Sequence, residues 1–365
     1  MIKTHPGRGR PTALRLSSFI LLSPDAMLKL DDLSMSRVFK DMGLESLFKG
    51  VERARRLSLQ AVPESLLQLL AKVDAPQVMP FSNTLILAIE GDAAARREVE
   101  LLGEWQVWRR SWETSGAAWL LLIDHFVEIE MASQGVDTCI AEFRWHDAAE
   151  LARASPLLNL YVNEVVVDIL AAASTMQEAL LARTVGLLEV LLAQLARLDV
   201  WMHPQQLPQD SFRLLLGMKS DKLRRPGGAL VHWLRQQVGA KTLAELLSND
   251  GQRDLVSEST LKRWSSGAFF PSEDQFRSVV ESCLSPQEDA ARSALHHRAR
   301  VMFFVARRLD KTLRLAERLF SASSGTSTSW GADLLGVPSA SEWASSRYDW
   351  WLDHWTSHGV GPARI

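Results

Sequence analysis

Residues 256–271 read VSESTLKRWSSGAFFP. Ser257 offers an N-cap oxygen, Leu261 and Trp264 three apart form one apolar edge, and Gly267 and Pro271 close the segment before the next helix. That leaves Ser257, Glu258, Ser259, Lys262 and Arg263 facing outward, most of them near the helix N-terminus. Upstream, Gly227–Val238 reads as an amphipathic helix with Leu230, Trp233, Leu234 and Val238 on one side, and Lys241–Leu247 opens a second helix. Downstream, Ser272 with Gln275 three residues on is a capping box for a helix over 272–284. Short capped helices in series predict a mostly α fold.

The rest of the chain agrees. Leu181, Thr184, Leu188, Leu191, Leu195, Leu198 and Met202 alternate at spacings of three and four between a Ser174/Gln177 capping box and Pro204, a coiled-coil-like seam. Such a seam suits either a dimer or the spine of an internal bundle. A second long helix follows Ser285-Pro286-Gln287-Glu288, with Leu295, Ala299, Met302, Ala306, Leu309, Leu313, Ala316 and Phe320 as its apolar edge. Thr138–Ile140 and Phe143 form a short strand-like run.

Net charge is -2 over 365 residues, but the charge is segregated. Residues 1–210 carry 20 Lys+Arg against 27 Asp+Glu, residues 211–320 carry 19 against 12, and residues 321–365 carry 2 against 4. A basic block of domain size points to a polyanionic partner or to the acidic half of the same chain. The expected organisation is a basic N-terminal arm (1–22), an acidic helical domain (23–210), a basic helix-turn-helix domain extended by a long helix (211–320), a Ser/Thr-rich linker (321–341) and a Trp-rich docking tail (342–365). The tail carries Trp343, Trp350, Trp351 and Trp355; helical spacing puts Trp343, Trp350 and often Trp351 on one side, and these indoles must dock on the body or on a partner protein.

The run from Thr242 to Pro271 resembles the helix-turn-helix of the lambda-repressor/Cro-like (XRE) family. Thr242–Leu246, Val256–Ser257, Thr260–Leu261, Trp264, Gly267 and Pro271 fall in that pattern, while the turn is longer than usual through an extra loop at Ser248–Gln252. The resemblance covers residues 227–284 only. It implies that Ser257, Glu258, Ser259, Lys262 and Arg263 lie on a recognition helix that meets base edges. Arg298, Arg307, Arg308, Lys311 and Arg314 on the long helix are then candidate phosphate contacts. Near the start, Arg8-Gly9-Arg10-Pro11 is similar to the core of an AT-hook, in which Arg8 and Arg10 would enter a narrow minor groove.

No G-x-S-x-G, H-E-x-x-H, P-loop or G-x-G-x-x-G pattern occurs, so no enzymatic activity is expected. Asp124, His125 and Glu128 share a helix face among apolar neighbours, and Asp137, Glu142 and Arg144 lack the lysine of a nuclease site. His354 and His358, with Asp353 adjacent, have a spacing that could share a metal but no third ligand nearby, so neither metal nor cofactor is expected. Cys139 and Cys283 make no redox or metal pattern, which suits a reducing cytoplasm. No uncharged apolar run of membrane-spanning length is read. The leading expectation is a sequence-specific binder of double-stranded DNA, a transcriptional regulator of a bacterial operon or mobile element, with a homodimer or larger complex as its working form. The alternative is a non-catalytic scaffold subunit of a nucleoprotein or phage-defence complex, its basic block docking a protein or RNA partner.

Overall fold

The computed structural model describes residues 119–202, 211–216, 218–219, 222–223, 225–247, 256–284, 289–322, 336 and 339–358, together with Phe19, Ala26, Lys29, Leu30, Lys40, Leu87, Glu90 and Ala95. The N-terminal arm with Arg8 and Arg10, most of the 23–118 region and the cap at 285–288 lie outside these residues. The described chain is mostly α-helical. In order come α1 (Trp119–Ala141), α2 (Trp145–Ala154), α3 (Pro156–Tyr161), α4 (Glu164–Ala171), α5 (Met176–Met202), α6 (Pro226–Gln237), α7 (Glu258–Ser265), α8 (Glu273–Leu284), α9 (Asp289–Ala322) and α10 (Ala340–His358). Single 3-10 turns occupy Phe212–Leu216 and Ala244–Leu247, and β1 (Met218–Lys219) pairs antiparallel with β2 (Lys222–Leu223).

The axis of the molecule is α5. Every residue from 181 to 199 is buried, and α4, α9 and α10 pack around it. The sequence seam of α5 therefore lies inside this chain, as one side of a helix covered all round. By length and composition Met176–Trp201 would suit a bilayer, yet 94% of its most apolar window is covered by the rest of the fold. Its polar residues are met in different ways, Arg183 by α1 and Thr184 within the helix itself. Arg183 donates to both carboxylate oxygens of Asp137 at 2.6 and 2.9 Å, and the Thr184 hydroxyl donates to the Leu180 carbonyl at 2.7 Å. One continuous apolar core runs from α1 through the 227–284 segment to α10.

Four local readings are corrected. The strand-like residues Thr138–Ile140 form the last turns of α1, and Phe143 follows with a left-handed φ of 62°. Alternation over so few residues cannot outweigh a helix already propagating through them. The cap of α5 is set by Thr175 and Glu178 rather than Ser174 and Gln177: Glu178 accepts from the backbone N–H of both Ser174 and Thr175, and Thr175 accepts from Glu178 N–H. A carboxylate accepts two amides more strongly than a neutral amide side chain can. The helix expected from Lys241 is only the turn Ala244–Leu247, started by Glu245, which accepts from Lys241 N–H and the Thr242 hydroxyl, and by Thr242 Oγ1, which accepts from Glu245 N–H. Finally, the aromatic face of α10 is not the one read from sequence. Trp343, Trp351 and Trp355 are buried together with Tyr348, whereas Trp350 is 46% exposed.

The buried indoles dock on this chain's own α5. Arg347 and Trp351 Nε1 both donate to Glu189, at 2.7 and 2.9 Å, and Trp355 Nε1 donates to the Ala193 carbonyl at 2.8 Å. Asp199 accepts from Ser211 Oγ at 2.5 Å, from the Phe212 amide at 3.1 Å and from the Tyr348 hydroxyl. Burial pushes both the Glu189 and Asp199 carboxyls above the ordinary range, against the opposing pull of these donors.

Candidate nucleic-acid interface

Helix α7 is short and locally over-determined. Ser257 Oγ accepts from the Thr260 amide at 3.2 Å, closing its N-terminus. Leu261 and Trp264 are buried behind it. At the other end Gly267 N–H donates to Trp264 O at 2.8 Å and Ala268 N–H to Arg263 O at 3.1 Å, the paired bonds of a Schellman cap. Gly267 is left-handed, with φ +74°, and a Cβ there would stand 2.7 Å from Arg225 Cβ, so both backbone and space require glycine.

Helix α6 crosses this end at the closest approach an L-residue would forbid. A Cβ on Gly228 would lie 2.6 Å from Ser265 O. Gly228→Ala therefore forces two backbones apart and should cost about 1–3 kcal/mol in urea unfolding. An unchanged unfolding midpoint would show that α6 and α7 do not meet this way.

All five outward residues read from the sequence are exposed on or beside α7: Ser257, Glu258, Ser259, Lys262 and Arg263. They are not idle. Lys262 Nζ lies 2.8 Å from Glu258 Oε1, one turn away, an exposed pair worth about 0.3–0.5 kcal/mol that a phosphate or base could displace. The Arg263 guanidinium sits 3.9 Å from the centroid of Phe269, which is itself 52% exposed. Phe269 escaped the sequence reading because Phe269-Phe270 looks like one apolar pair. Only Phe270 turns inward, onto Phe303.

The five basic residues proposed for phosphates on α9 divide by helical phase. Arg307, Lys311, Arg314 and Arg318 recur at spacings of four and three, hence share one face. Arg307, Lys311 and Arg318 are exposed. Arg314 is half-buried and braces the fold: it donates to buried Asp310 at 2.5 Å and to Gly267 O, at the end of α7, at 2.8 Å. Arg308 is turned inward as well, and burial pushes its pKa down to about 10, with Glu130 nearby opposing the shift. Arg298 is exposed but lies nine residues from Arg307, which at about 100° per residue places it on the opposite face. Arg298 and Arg308 are therefore out of phase with the exposed Arg307 and Lys311, and Arg314, although in phase, is held by Asp310 and Gly267 O.

Other polar readings fall elsewhere. Glu128, Glu142 and Arg144 are exposed, with Arg144 donating to Glu142 and Asp147, and Asp137 is committed to Arg183. Burial pushes the Cys283 thiol up to about 11, away from thiolate chemistry at neutral pH. Among the described residues no three His, Cys, Asp or Glu side chains gather as a metal site.

No family model matches the chain, and no curated protein or solved structure is detectably similar to it.

Proposed function

We propose that the chain is a sequence-specific DNA-binding protein acting as a transcriptional regulator. Helix α7 enters the major groove, and the Arg307, Lys311 and Arg318 edge of α9 lies on the adjoining phosphates. One observation carries this reading. The Arg314 guanidinium joins Gly267 O, at the end of α7, to Asp310 within α9, so the two helices that carry the candidate base-reading and phosphate-contacting residues are tied to each other. Lys262 and Arg263 suit guanine edges or phosphates, the serines suit base or backbone, and Glu258 suits the cytosine amino group while opposing unspecific phosphate attraction.

Fluorescence anisotropy against a random duplex and the protein's own upstream DNA, across a salt series, tests the reading. Tighter binding to the upstream duplex is expected, with a steep salt dependence for both. Lys262→Ala should cost about 1–3 kcal/mol on the preferred site and little on random DNA. Lys311→Ala should weaken both alike and lower the salt slope by about one. Equal losses for the two variants would remove the base-reading role. Absence of binding at low salt would overturn the proposal and favour the alternative, in which the basic edge of α9 docks an acidic partner.

A further inference from the structure

Beside α7 the chain displays an aromatic ring that does not enter the core. Phe269 is 52% exposed, yet the segment that carries it is fixed on both sides. On one side Ala268 N–H and Phe269 N–H both donate to Arg263 O, at 3.1 and 3.4 Å, past the left-handed Gly267. On the other side Phe270 turns in against Phe303, with ring centroids 5.5 Å apart, and Pro271 is buried. The Arg263 guanidinium lies over one face of the Phe269 ring, 3.9 Å from its centroid. We propose that Phe269 and Arg263 together read a 5-methylpyrimidine beside a guanine in the major groove of duplex DNA, Phe269 meeting the methyl group and Arg263 the guanine edge. The inference rests on the DNA reading above and adds to it a specificity-determining residue.

Three observations support it. Ser259 and Arg263 lie one turn apart on α7 and share a face, and the Phe269 ring, in contact with Arg263, continues that face past the end of the helix. Next, the guanidinium is restrained but not consumed. The ring contact holds it, while among the described residues no carboxylate pairs with Arg263 as Glu258 pairs with Lys262. Its N–H groups are left for the N7 and O6 acceptors of guanine, the commonest specific contact in that groove.

Last, the covered face limits what the ring can do. An aromatic wedge driven between base pairs needs both faces bare, and Arg263 occupies one of them. The ring edge and the outer face remain. That apolar surface suits the one apolar group the major groove displays, the 5-methyl of thymine. A 5-methylcytosine presents the same group at the same position of its ring.

Fluorescence anisotropy of the full-length protein on three forms of its own upstream duplex tests the proposal: unaltered, with uracil in place of every thymine, and with 5-methylcytosine in place of every cytosine. The unaltered chain should bind the uracil form about fourfold more weakly for each methyl group lost from the contact, the worth of one buried carbon. A gain on the 5-methylcytosine duplex without a loss on uracil would name methylated cytosine as the source of the methyl group. Phe269→Ala should lose the difference in either case, with its melting temperature unchanged because the ring is exposed. Phe143→Ala, which removes a phenylalanine 66% exposed between α1 and α2, should discriminate as the unaltered chain does. Indifference of the unaltered chain to both replacements, equal discrimination by Phe269→Ala, or tighter binding of the single strand than of the duplex would each overturn the methyl reading while DNA binding stands. Absence of binding to every duplex would overturn the DNA reading and this inference together.

Discussion

Trp351→Ala should lower the free energy of unfolding by about 3–5 kcal/mol, the range for removing a large buried aromatic side chain. Trp351 is only 2% exposed. Its ring lies 5.9 Å from that of Tyr161 and stacks on Trp355 at 5.5 Å, and its Nε1 donates to Glu189 at 2.9 Å. Truncation leaves a cavity between α5 and α10 and takes one of the donors from a carboxylate that water does not reach. Urea unfolding measures the loss. A change below about 1 kcal/mol would mean that α10 is not seated on α5 through this residue.

Arg347→Ala should cost as much by a different route. Glu189 is fully buried, and Arg347 stands 2.6 Å from Oε1. Removing the cation leaves a buried charge uncompensated, a change worth about 3–5 kcal/mol. The pH dependence tells the two variants apart. Burial raises the Glu189 carboxyl and Arg347 opposes the rise, so without Arg347 the folded-state value climbs further. A carboxyl raised on folding adds stability that is fully present below its unfolded value and is lost as pH rises through the folded one. The Arg347→Ala defect should therefore be small near the ordinary carboxylate range and grow toward neutral pH, whereas the Trp351→Ala defect, chiefly lost packing, should change little. Parallel pH profiles for the two variants would show that Glu189 is not ionised against Arg347 in the folded protein.

Local features were legible in the chain. The Ser257 cap, the Ser272/Gln275 box and the Gly267 stop all appear, with Ser272 and Gln275 bonded reciprocally at 3.0–3.4 Å. The apolar edge of α9 from Leu295 to Ala316 is buried as its spacing required. The helix over 227–238 appears within one residue of its expected bounds. The second helix of the motif shrank to one turn because Thr242 and Glu245 cap a segment too short to propagate.

The candidate interface was legible only in part, and Arg307, Arg308 and Arg314 show why. Three arginines on one basic helix looked equivalent, yet Arg307 is exposed, Arg308 is drawn toward Glu130, and Arg314 braces α7. The tail behaved likewise. Four tryptophans had to dock somewhere, but which three turned inward depended on Glu189 and Ala193, both 162 residues from the indole each accepts.

From the amino-acid order alone came the helical class, the Ser257 and Ser272 caps, the Gly267 stop, and the segregation of charge along the chain. These rest on interactions within one or two helical turns, which spacing exposes directly. Only the tertiary structure decided which outward-looking cations are truly outward, which indoles are buried, and that α5 is covered on every side. Those outcomes are set by partners distant in sequence, from Gly267, 47 residues from Arg314, to Glu189, 162 residues from Trp351, and no local pattern in the sequence records such a partner.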